Sequence, residues 1–220
     1  MTGMTFSSEE HGMAVLKAAL NLFPGGGAIA SLLSDYLPSS SQRNMARSVE
    51  LLQDKLADLG DRIDVHAVNK DEFAELFRSC SAVFSRTHHE EKLRAAANLL
   101  ANLLLAPDDP KKSSYQELDH LVRCVDALSI GAITTLGAAK HVALKNPLGG
   151  QQGHFNFEQL QAALMPIDAG LLMGLVSELR SMNLIHVQEP GIRTPDYGNY
   201  LLELTSIGRR FAERFIEGQM

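Results

Sequence analysis

From Gln42 to His66 the apolar residues Met45, Val49, Leu52, Leu56, Leu59 and Ile63 recur at steps of four, three, four, three and four. That spacing is an a/d seam and predicts one long helix, about 37 Å at 1.5 Å per residue. Charged residues such as Arg47, Glu50, Asp54, Asp58 and Asp61 fall off the seam and can stay wet. A seam this narrow must be covered by other helices of the chain or by a second chain.

Before it lie two apolar segments, Met13 to Phe23 and Ala28 to Leu37, separated by Pro24-Gly25-Gly26-Gly27. That tetrapeptide cannot continue a helix, so a helical hairpin is expected. Ser41 is placed to cap the seam helix. After it, Asn69 with Glu72 opens a helix carrying Phe73, Leu76, Phe77, Cys80 and Phe84. Thr87 with Glu90 reads as a capping box for a helix apolar around most of its girth, from Leu93 to Leu104, which should be central. Ser114 with Glu117 starts a helix through Leu128, and Ser129 caps another from Ile130 to about Leu144. Residues 145–153, KNPLGGQQG, read as a linker.

Beyond the linker the pattern changes. Asn156 caps a short helix, Phe157 to Leu164, and Asp168 caps the next, Ala169 to Met182. Leu184 to Val187 and Tyr200 to Leu204 read as short strands flanking a Pro/Gly/Asp-rich loop, and Thr205 caps a last helix through Ile207, Phe211 and Phe215. Helix, turn, helix, strand, loop, strand, helix is the order of a winged helix-turn-helix. The expected fold is mainly α: an N-terminal multi-helix bundle, residues 10–145, then a winged helix-turn-helix domain with a small two- or three-stranded β-wing. That second domain covers residues 146–220, or starts earlier if residues 126–144 supply its first helix.

The segments NLIHV and YLLELTSIGRRF resemble the ending of bacterial winged-helix domains, where a Leu-Thr pair precedes a helix with a Gly and then a Phe. This resemblance covers roughly residues 126–217 and implies a fold without a chemistry, since that scaffold serves both DNA binding and protein contact. The front part is similar, through Phe23-Pro24-Gly25-Gly26-Gly27-Ala28-Ile29-Ala30 and Glu91-Lys92-Leu93-Arg94, to uncharacterised bacterial helical proteins of the abortive-infection alpha type. That diffuse resemblance, over about the first 140 residues, implies a setting in phage defence and no activity.

Composition narrows the function. A net charge of −6 argues against a protein whose main task is to hold nucleic acid by its phosphates. Two cysteines, Cys80 and Cys124, make no disulfide framework and fit a reducing compartment. The first residues are acidic where a secretory signal would carry Lys or Arg, and no run reaches about 18 apolar residues. The expected location is the cytoplasm.

Candidate chemistry is thin. His88-His89-Glu90-Glu91 lacks the one-turn spacing of two His on one zinc, so a helix start is expected there. His120 and Cys124 share a helix face, but two groups do not make a metal site, and a half-buried His beside a core thiol is expected. Gly25-Gly26-Gly27 lacks the strand and the Gly-Lys-Ser/Thr of a phosphate loop, and the serines at 39–41 have no His or acid at a telling spacing. No catalytic residue, cofactor or metal is assigned. In the helix from Ala169 to Met182, Leu172, Val176 and Leu179 form an inward row, while Leu171, Leu175 and Met182 form a second apolar row. That second row is expected to lie in a contact, with the helical domain of the same chain, with a second copy as in a dimer, or with another protein. Residues 151–220 carry five Lys/Arg against eight Asp/Glu, a net −3.

The leading reading is a non-enzymatic cytoplasmic bacterial interaction or adaptor protein with a winged-helix module, in phage defence. A winged-helix transcriptional regulator is the alternative, and it would bind DNA through Arg180, Arg193, Arg209 and Arg210. A conditional membrane-active effector is a third reading, resting on the charge-poor 13–37 hairpin, which carries only Lys17 and Asp35.

Overall fold

A computed structural model describes residues 42–145, 154–188 and 197–216. The 13–37 hairpin, the glycine run, the serines at 39–41 and Arg193 lie outside the described residues. The chain divides into two compact units, Met1–Asp126 and Ala127–Met220. The helix starting at Ile130 therefore falls in the second unit.

In the first unit the described helices are α1 (Gln42–Leu59), α2 (Lys70–Arg86), α3 (Glu90–Leu103) and α4 (Tyr115–Ala127). α1 buries Ser48, Leu51, Leu52 and Leu56, while Val49 is only half-buried. The covered stripe is thus the wider one of a helix packed in a globule, not the strict heptad seam. The helix also stops at Leu59 and does not reach His66, so its 18 residues span about 27 Å. Gly60 takes a left-handed φ of +51°, a short 3₁₀ turn follows (Gly60–Arg62), and Ile63 pairs in an isolated antiparallel bridge with Leu105. Gly is the residue that reaches this conformation without steric cost.

α2 starts at Asn69, whose side chain accepts from the amides of Asp71 and Glu72, and buries Phe73, Leu76, Phe77, Cys80 and Phe84 as its pattern predicts. α3 is the central helix. Residues Leu93, Ala95–Ala97, Asn98–Leu103 are buried, and it packs on α1 and α2. Its start differs from the expected capping box. Thr87 Oγ1 accepts from the amide of His89 (3.1 Å), and His89 is the N-cap without a side-chain bond. Glu90 instead meets Arg47 (2.6 Å) and Arg94 (2.7 Å), which pull its carboxyl below the usual range, Arg47 most strongly.

In the second unit the order is α5 (Ile130–Lys145), β1 (His154–Asn156), α6 (Phe157–Ala163), α7 (Ala169–Ser181), β2 (Ile185–Gln188), β3 (Leu201–Leu204) and α8 (Ser206–Arg214). The sheet is antiparallel with β3 in the middle, order β1-β3-β2. His154 and His186 both face Glu203 across it, and Asn156 and Gln188 both face Leu201. Strand β1 is added to the two expected strands. Phe155, Leu202, Ile185, Val187 and Leu204 point to the covered side, with Phe157, Leu160, Leu172, Val176, Leu179, Phe211 and Phe215 also buried. Side chains start four helices: Ser129 Oγ accepting from Ala132 N (3.1 Å), Asn156 in a reciprocal box with Gln159, Asp168 accepting from Leu171 N, and Thr205 accepting from Gly208 N.

Candidate interaction face

Helix α7 carries the residues on which the functional readings turn. Its inward row is as expected: Leu172, Val176 and Leu179 are buried. Its inner end is tied down by Glu178, whose Oε2 accepts from the amide of Ser129 at 2.9 Å. That carboxylate sits at the start of α5, where the unsatisfied amides favour negative charge.

The second apolar row does not stay together. Leu175 is only 9 % exposed, because it packs on the first turn of α5: a methyl group on Gly131 would lie 3.0 Å from Leu175 Cδ2. Met182 is half-buried. Only Leu171 stands out, at 58 % exposure. Within its own unit, then, Leu175 is covered by α5, Met182 is half-covered and Leu171 is left exposed. A bulky hydrophobe missed in the sequence lies nearby in the chain. Met165, in the turn between α6 and α7, is 73 % exposed. Its signal was present in Met165-Pro166, an apolar residue in a turn that no helix can bury.

The outer strip of α7 is otherwise small: Gly170, Gly174, Ser177 and Ser181 are exposed. The two hydroxyls donate to the helix itself, Ser177 Oγ to Met173 O (2.8 Å) and Ser181 Oγ to Glu178 O (2.7 Å). Arg180 is exposed at the end of the helix, while Arg209 and Arg210 are half-buried on α8. A helix reading a major groove offers donors and acceptors to base edges along such a strip. This one offers glycines and hydroxyls turned to its own carbonyls.

The other candidates behave as structural residues. The His88 and His89 rings lie 4.3 Å apart between centroids, tilted by 33°, beside the start of α3. Cys124 Sγ lies 3.5 Å from His120 Nε2 in a half-buried pair, and burial pushes its thiol up to about 11 despite the opposing pull of Arg123. Cys80 is buried, its thiol raised by that burial and donating to Ala96 O at 3.6 Å. Neither thiol has the lowered pKa of a nucleophile. Among the described residues no group of three or more His, Cys, Asp or Glu is placed to hold a metal ion, and no helix is long and apolar enough to cross a membrane.

The best-built polar node is in the first unit. Asp109 accepts from Arg62 Nε (2.8 Å), Arg62 Nη2 (2.9 Å) and the amide of Lys111 (2.8 Å). The Arg62 guanidinium first, then the Lys111 amide, hold this carboxyl down to about 2. Lys112 Nζ donates to Leu103 O (3.2 Å) and to Leu105 O, and burial pulls its pKa below the usual lysine value. Asn102 completes the node, donating to Lys111 O (2.8 Å) and accepting from Ser113 N (2.8 Å). These bonds fasten the 105–113 loop over the end of α3.

Compared with protein-family models, curated proteins and solved structures, the chain matches none.

Proposed function

We propose that the chain is a non-enzymatic interaction protein whose second unit is a winged-helix module used for protein contact. The winged-helix reading is supported by the order α5-β1-α6-α7-β2-β3-α8 and by the β1-β3-β2 sheet. The observation that carries the choice of protein over DNA is the outer strip of α7, where Leu171 is exposed among Gly170, Gly174 and Ser177. Exposed Leu and Met side chains favour burial by roughly 1.5–3 kcal/mol each when fully covered. The partner in this reading is a second copy of the chain, because a self-complementary patch closes most simply as a two-fold dimer. The similarity of the front part to abortive-infection proteins makes phage defence in the cytoplasm the proposed setting.

Leu171→Glu tests the contact. Since Leu171 is mostly exposed, the variant keeps its fold, and sedimentation should show a dimer in the parent and a monomer in the variant at the same concentration. A parent that sediments as a monomer at about 100 μM, or a variant as dimeric as the parent, overturns the dimer. Leu175→Glu cannot serve, because its carboxylate would be buried against α5 and would unfold the unit.

The DNA-binding alternative retains one observation in its favour: Arg180 is exposed at the end of α7. In that reading Arg180, Arg193, Arg209 and Arg210 would be the residues that meet the DNA.

A further inference from the structure

We draw no further inference here: the strongest candidate, the His154–Glu203–His186 row across the outward face of the three-stranded sheet, carries nothing because among the described residues no His, Cys, Asp or Glu group is gathered to hold a metal ion and no second feature points to another ligand.

Discussion

Two single residues carry a steric or an electrostatic constraint that can be read directly. Gly208 sits in the first turn of α8 so close to β2 that an added Cβ would lie 1.8 Å from the carbonyl oxygen of Leu184. Backbone cannot yield as a flexible side chain does, and Thr205 Oγ1 also donates to Asn183 O (2.7 Å) and lies 3.1 Å from Leu184 O, pinning the same corner. Gly208→Ala should therefore cost about 3 kcal/mol or more, read as a collapse of the unfolding midpoint in urea. The Leu-Thr-x-x-Gly spacing quoted from the sequence thus has a steric reason, which only the approach of the Leu184 backbone reveals. Asp109 is the electrostatic counterpart. Its carboxyl is held near 2 by Arg62, against about 3.9 in an unfolded chain. The unfolded state binds the proton first as pH falls, so this contribution is complete above about pH 4 and is lost between about 4 and 2. Asp109→Asn should lower the thermal midpoint at neutral pH. It should also flatten the midpoint's fall between pH 4 and 2. An unchanged acid slope in the variant would remove Asp109 from that role.

Elements were legible where a periodic face coincided with burial and illegible where tertiary partners decided. Leu52 and Leu56 lie on the predicted seam of α1 and are 3 % and 1 % exposed. Leu56→Asp should unfold the first unit, since an unpaired charge there costs about 4 kcal/mol, and circular dichroism against temperature would register it. A parent-like midpoint would mean the seam is not a core. The end of α1 was misread because the apolar step to Ile63 continues the heptad, although Ile63 belongs to a bridge with Leu105. Gly60 was the visible warning. The third strand that the expected wing allowed for could not be placed, because His154-Phe155-Asn156 has too few residues to show alternation, and β1 exists by pairing with β3. The split of the Leu171, Leu175, Met182 row was hidden for a similar reason. Helical spacing places residues on a face, but Gly131 on α5, 44 positions earlier, opens the space that Leu175 fills. Thr87 shows that a capping-box spacing fixes neither its N-cap nor its partner, since Arg47 and Arg94 outbid the backbone for Glu90.

For the molecule as a whole the protein-contact and DNA-binding readings separate on charge and salt. A DNA-binding protein releases one counterion for nearly every phosphate it neutralises, so its affinity falls steeply with salt. This chain carries −6 overall, Arg209 and Arg210 are half-buried, and the strip of α7 that would enter a groove presents Gly170, Leu171, Gly174 and Ser177. Such a strip supplies neither bidentate contacts to bases nor a basic field around them. Titrating duplex fragments of genomic DNA at 50 and 200 mM salt should therefore give no complex tighter than about 10⁻⁶ M, the tighter end of ordinary non-specific association. Arg180→Ala should leave the titration unchanged, because one exposed arginine accounts for at most one phosphate contact. A nanomolar complex that weakens by orders of magnitude between the two salts, selects a sequence, and is lost in Arg180→Ala would reverse the reading. The exposed Leu171 would then be a contact to a thymine methyl rather than to a second copy of the chain.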